Sequence, residues 1–121
     1  MKTYYKVVRN RNGALESVFA DDEALISYVP NKWISAPKWL RDQGKGPFVF
    51  DTLENARSWM GIVFIISYSL SIWECQVRKI STPAYCTLWR LNQGCIEVNK
   101  WEEFPKGTLQ VDQVKLIRMI E

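Results

Sequence analysis

Six tryptophans in 121 residues are the feature that most constrains how this chain can fold. Each indole is a large apolar anchor, so each belongs either to a packed core or to a binding surface. The same sequence has no histidine, which is the usual general base, proton shuttle and metal ligand of proteins. Together these facts argue against most hydrolase and metalloenzyme chemistry without pointing to one alternative activity. The tryptophans are Trp33, Trp39, Trp59, Trp73, Trp89 and Trp101.

Length and composition predict one folded domain over residues 1–121. An apolar content of 47% and a charged content of 24% are ordinary globular values, and the net charge is a mild +3. The longest apolar stretch, Met60 to Leu70, has eleven positions, which is too short to span a bilayer. No signal peptide is visible ahead of the first strand-like residues. We therefore expect a cytoplasmic protein without a membrane segment.

Three cysteines, Cys75, Cys86 and Cys95, stand without any C-x-x-C spacing. An odd number of thiols argues against a disulfide framework, and a structural zinc site usually needs four ligands in closely spaced pairs. We expect free, mostly buried thiols in a reducing compartment. Serines are present, but no histidine is available to activate them. The residues alone therefore predict no catalytic centre, no metal and no cofactor.

Hydrophobic periodicity predicts an α+β fold with a mainly antiparallel sheet of five to seven strands and one short helix. Asn12-Gly13 predicts a hairpin turn. Asp51 and Glu54 form a capping-box-like start for a helix over about 52–60, ended by Gly61. Residues 62–66 fit either a continued helix or a strand. The main strands are expected at 4–8, 14–20, 48–50, 72–80 and 114–120, with shorter candidates at 26–29, 88–91 and 95–98.

A long irregular loop is expected over 31–47, because no period holds there and prolines and glycines interrupt it. Its cations and aromatic rings suit a protein partner, since Trp and Arg dominate interface hot spots. The same mixture suits a nucleic acid, whose bases stack on rings and whose phosphates attract cations. A third reading has both tryptophans capping the sheet while the lysines are solvated. The candidate partner-binding residues are Lys32, Trp33, Lys38, Trp39, Arg41 and Lys45.

The order of four segments resembles the layout of small uncharacterised proteins of bacteriophages and mobile elements. The segments are residues 4–9 (YYKVVR), 48–56 (FVFDTLENA), 72–77 (IWECQV), and 107–108 with 114–117. The resemblance covers most of the chain and is one of layout, with no catalytic motif. It implies a phage-encoded accessory protein acting inside a bacterium. Small proteins of that kind often inhibit host defences such as restriction or CRISPR systems.

A fainter similarity is to the ADP-ribosyltransferase-like fold, which also has an early strand bearing Tyr and Arg and a later strand bearing a glutamate. Arg9, Ser17 and Glu74 are the matching positions in this chain. The similarity implies NAD binding, with these three residues lining the site. The chain departs from one branch of that fold because Gln76 follows Glu74 where a Glu-x-Glu motif would have its second glutamate.

Three hypotheses follow. The first is a non-catalytic accessory protein that binds a host or phage macromolecule, most simply a protein. The second is a degenerate NAD-binding transferase, and the third is a nucleic-acid-binding module.

Overall fold

The computed structural model describes residues 2–17, 25–42, 44, 46–63, 69–81, 85–89, 96–100 and 107–121. Within these ranges the chain forms nine strands and two helices. In chain order they are β1 (Tyr4–Arg11), β2 (Ala14–Glu16), β3 (Ser27–Tyr28), β4 (Trp33–Ser35), α1 (Lys38–Arg41), β5 (Phe48–Phe50), α2 (Leu53–Val63), β6 (Ser69–Ile80), β7 (Tyr85–Trp89), β8 (Ile96–Lys100) and β9 (Thr108–Met119).

Four of the strands close into a small barrel. Strand β1 pairs with β5 on one side and with β6 on the other. Strand β9 also pairs with both β5 and β6, so the four strands form a closed ring in the order β1-β5-β9-β6. Strands β2 and β3 extend the sheet from β1, and β4 extends it from β9. All these pairings are antiparallel. The predicted antiparallel sheet of five to seven strands is confirmed, and the fold is mostly sheet with few helices.

Two apolar clusters lie on opposite faces of the barrel wall, as the alternation along β1 requires. Tyr4 and Val8 face the interior, where they pack with a set of buried residues from the other strands. Val7 faces outward, where helix α2 covers the wall through Ala56 and Trp59. The buried interior residues from β5, β6 and β9 are Val49, Cys75, Val111, Val114 and Leu116.

The local signals for the first hairpin and the helix hold, with two corrections. Asn12 and Gly13 have φ values of 54° and 84°, as a type I′ turn requires. The helix is capped by Thr52 and not by Asp51, because the Thr52 hydroxyl accepts the Asn55 backbone N–H at 3.1 Å. The predicted end at Gly61 is also wrong. The helix continues to Val63, since glycine disfavours a helix interior by only about 1 kcal/mol.

The expectation of an irregular loop over 31–47 is wrong for part of that range. Strand β4 pairs with residues 113–115 of β9, and helix α1 follows it. A strand of three residues is too short to show an alternating pattern, and its pairing partner lies far away in the sequence. The short strand candidates near 88–91 and 95–98 overlap the antiparallel pair β7 and β8. Predictions for residues 18–20, 64–66, 90–91 and 95 lie outside the described residues.

Candidate anion-binding cleft

Strands β4, β9 and β6 lie side by side and set a row of polar residues on the outer face of the sheet. Ser35 pairs with Gln113, and Gln113 pairs with Arg78. Directly paired residues share a face of the sheet, so these three side chains point the same way, opposite to buried Val114. The Arg78 guanidinium donates to the Gln113 side-chain oxygen at 3.0 Å. This hydrogen bond links β6 to β9 at the surface.

The next row along the same face contains Trp33, Lys115 and Gln76. The guanidinium of Arg78 lies over the Trp33 ring, 3.9 Å from its centroid, and the Lys115 ammonium is 5.7 Å from that centroid. Cation–π contacts of this kind hold a cationic side chain against the ring. Arg78 is therefore an exposed cation fixed by two neighbours, Trp33 and Gln113.

An open cleft of about 570 Å³ lies beside this face. Among the described residues, three cations, from Arg41, Arg78 and Lys79, line it, against one acid, Asp112. The other described lining residues are small or polar, and none of them is a large apolar side chain. A concave surface with this charge excess attracts anions. The other lining residues are Ser35, Gly44, Ser81 and Gln113.

Buried hydrogen bonds hold the walls of the cleft in place. The side chain of Gln110 is 1% exposed, and its amide donates to the backbone oxygens of Gly44 at 3.0 Å and Ser81 at 3.2 Å. The Arg41 side chain donates to the Ala36 backbone oxygen at 3.0 Å. The two Gln110 bonds join distant segments of the chain and hold the backbones of Gly44 and Ser81 beside β9.

The backbone at Lys79 is unusual. Its φ is 53°, in the left-handed region, although Lys79 lies within strand β6. Among the described residues, the other non-glycine positions with positive φ are Asn12 and Asn31, and asparagine tolerates that region far better than lysine does. Backbone strain of this kind tends to occur at functional sites, where the surrounding structure enforces it.

The sequence-predicted binding residues divide into two groups. Arg41 lines the cleft, together with Arg78 and Lys79, which no sequence pattern had marked as binding residues. Trp33 contacts Arg78 from the neighbouring row and is not among the described lining residues. Lys38 is exposed and forms an ion pair with Asp42 at 2.8 Å. In the same segment Lys32 is exposed and Trp39 is half-buried, whereas Lys45 lies outside the described residues. The alternation along β6 marked Arg78 only as a solvent-facing position.

The structure does not bring Arg9, Ser17 and Glu74 together. Arg9 is fully buried, 3.5 Å from the Glu16 carboxylate. The Ser17 hydroxyl accepts the Ile26 backbone N–H at 3.1 Å. Glu74 pairs with Arg118 at 2.8 Å. On the paired strands β1 and β6, Glu74 lies opposite Tyr5 and is therefore four residues from Arg9, which is about 13 Å along a strand.

A buried lysine is a feature that the sequence analysis did not anticipate. Lys6 lies inside the barrel, where its ammonium donates to the Phe48 backbone oxygen at 2.6 Å and is 5.5 Å from the Tyr28 ring centroid. Burial lowers the pKa of Lys6 to about 8, an effect that Cys75 partly opposes. Burial also raises the pKa of the Cys75 thiol to about 12. The expectation that Cys75 faces the core is confirmed, and a thiol with so high a pKa is inert.

Within the described ranges, no three or more Cys, Asp or Glu residues are grouped so as to hold a metal ion. None of the helices described is both long enough and apolar enough to cross a membrane. No protein-family model, curated protein or solved structure matches this chain.

Proposed function

We propose that this chain is a non-catalytic binding protein that holds a negatively charged macromolecule on the cleft beside β4, β6 and β9. The observation that carries the proposal is the convergence of Arg41, Arg78 and Lys79 on one open cleft whose described lining has a single acid, Asp112. The layout resemblance supports the wider part of the proposal. In that part, a phage-type accessory protein contacts a host or phage macromolecule and inhibits a bacterial defence system.

The chemistry of the cleft favours binding over catalysis. Its guanidinium, ammonium, hydroxyl and amide groups are hydrogen-bond donors for an anion, and Asp112 is the one carboxylate among the lining residues that the structure describes. A proton-transfer mechanism uses a positioned base within reach of its substrate, and none of the cations serves that role while it is charged. The rival transferase would need Arg9 beside Glu74, but each of these residues already has an ion-pair partner.

The test is affinity capture from a bacterial lysate, with the captured material analysed for both protein and nucleic acid. The variants are Arg41→Gln and Arg78→Gln, which remove cleft cations. The matched control is Arg57→Gln on α2, which removes one exposed arginine that pairs with Glu121 away from the cleft. We expect the wild type and the control to capture the same anionic partner and both cleft variants to lose it. Unchanged capture by the Arg41→Gln/Arg78→Gln double variant would overturn the proposal.

A thermal-shift titration with NAD tests the rival function. A ligand that binds only the folded state stabilises it by about 2.7 kcal/mol at a hundredfold excess over Kd. We expect no shift at millimolar NAD. A shift that grows with NAD concentration and disappears in Glu74→Gln would favour the transferase.

A further inference from the structure

We infer that the cleft binds the sugar–phosphate backbone of a single-stranded nucleic acid. This inference rests on the proposed function, because it names the class of anion that the same site takes. The sequence favoured a protein partner, whereas this inference assigns a nucleic acid as the partner.

The lining of the cleft argues against an acidic protein surface as the occupant. Protein interfaces have a well-packed centre that is enriched in apolar and aromatic anchors and depleted of charge. The described lining of the cleft has the opposite composition, with three cations, one acid and otherwise small or polar residues. Nucleic-acid interfaces are more polar and much more positive than protein interfaces.

The donors of the cleft match phosphate. Half or more of all protein–DNA hydrogen bonds reach phosphate and sugar oxygens, and they come from Arg, Lys, Ser and Gln side chains. The cleft offers all four types, through Arg41, Arg78, Lys79, the two serines and Gln113. The Trp33 ring and the Gln113 oxygen also fix the Arg78 guanidinium before binding. A fixed planar guanidinium loses little freedom when it binds a phosphate.

The size and surroundings of the cleft favour one strand over a duplex. A volume of about 570 Å³ is within the range of pockets that enclose a single small ligand, so it can accept a segment of one strand. A half-buried tryptophan, Trp33, contacts one of the cleft cations, Arg78. Cationic tracks beside aromatic rings are typical of proteins that bind single strands.

The experiment is fluorescence anisotropy with a labelled 20-nucleotide oligothymidylate, at salt concentrations from 50 to 300 mM. Three cations on phosphates predict a slope of about −2 for log affinity against log salt. We expect Arg78→Gln to weaken binding about tenfold and to make that slope shallower by about 0.7. Arg57→Gln should leave both values unchanged.

Lys79→Gly separates a binding role from a structural one. Glycine accepts the left-handed backbone that strains lysine, so this variant should raise the Tm while weakening oligothymidylate binding. Loss of affinity in a variant more stable than the wild type has no structural explanation. If Lys79→Gly gains stability and keeps full affinity, Lys79 is not a phosphate contact and the inference fails.

Three further outcomes complete the test. Binding that does not change with salt, or equal affinity for a 20-base-pair duplex, would overturn the single-strand assignment. If the oligothymidylate does not bind but an acidic protein is captured in an Arg78-dependent manner, the inference fails and the proposed function stands. If neither is bound, both fail. Poly-glutamate of matched charge serves as the competitor, and we expect it to displace the oligonucleotide poorly.

Discussion

Replacing Lys6 with methionine tests the consequence of enclosing an amine within the barrel. Lys6 is 7% exposed, and its ammonium has the Phe48 backbone oxygen as a hydrogen-bond acceptor. Burial disfavours the charged form, so the pKa falls from 10.5 to about 8. Methionine has a similar length and no charge to desolvate, so the variant removes this titration while filling the same space.

The sign and size of the effect follow from proton linkage. The folded-state pKa of Lys6 is below its unfolded value. Between about pH 8 and pH 10.5, the Lys6 amine is therefore more often protonated in the unfolded chain than in the folded protein. Stability from this group therefore rises with pH through that window and is constant well below pH 8. The full shift corresponds to about 3 kcal/mol. Between pH 7 and pH 9, a two-state titration gives a rise of about 1 kcal/mol.

Urea denaturation of the wild type and Lys6→Met at several pH values measures this rise. Cys75 has the opposite effect on stability. Because its pKa is raised in the folded state, its contribution to the unfolding free energy falls as the pH rises above about 9. Up to pH 9 the folded-state Cys75 thiol, with a pKa of about 12, stays protonated with or without Lys6, so in this range the difference between the two unfolding free energies reports Lys6. We expect the wild-type value minus the variant value to rise by about 1 kcal/mol from pH 7 to pH 9. A flat difference would refute a buried, readily deprotonated lysine. Lys2→Met, which removes an exposed lysine, is the control.

Three more perturbations have defined outcomes. Thr52→Ala removes the hydroxyl that accepts the Asn55 N–H and should lower the unfolding free energy by about 1 kcal/mol in chemical denaturation; no loss would mean that another group caps α2. Gly46→Ala places a Cβ in steric overlap with the Val111 backbone oxygen and should cost about 3 kcal/mol, seen as a lower Tm; a wild-type Tm would contradict that close approach. Lys79→Gly relieves about 1–2 kcal/mol of left-handed strain against a glycine entropy cost of about 0.5–1 kcal/mol, so it should raise the unfolding free energy by about 0.5–1 kcal/mol; a decrease would show that the strain is smaller than that entropy cost.

Much of the fold was predictable from local pattern. Strand β1, its Asn12-Gly13 turn and strand β6 each carry a strong short-range signal, and the observed elements extend the predicted ones. Strand β4 had no such signal, because its three residues are stabilised by pairing with β9, about eighty positions later. Closure of the barrel also depends on pairings between distant segments, and periodicity contains no information about them.

The candidate site was predictable only in part, for a related reason. Trp33 and Arg41 attracted notice because cations and aromatic rings are dense in their segment. Arg78 and Lys79 did not, since a charged residue at the end of an alternating strand is expected to face solvent. Only the β4-β9-β6 pairing places Arg78 beside Trp33. Lys6 was missed because an alternating strand accepts one long polar side chain in its apolar row without breaking the pattern.

Closure of the barrel has a consequence for the order of events during synthesis. Strand β9 supplies an edge to β4, β5 and β6, so none of those three has its full set of hydrogen bonds until residues 108–119 have left the ribosome. Until then, β1 and β6 can pair as an open sheet with unpaired edges, which are a template for association with other chains. Such non-local pairing is slow to form. The nascent chain is therefore prone to aggregate until β9 has been synthesised and has paired with β4, β5 and β6.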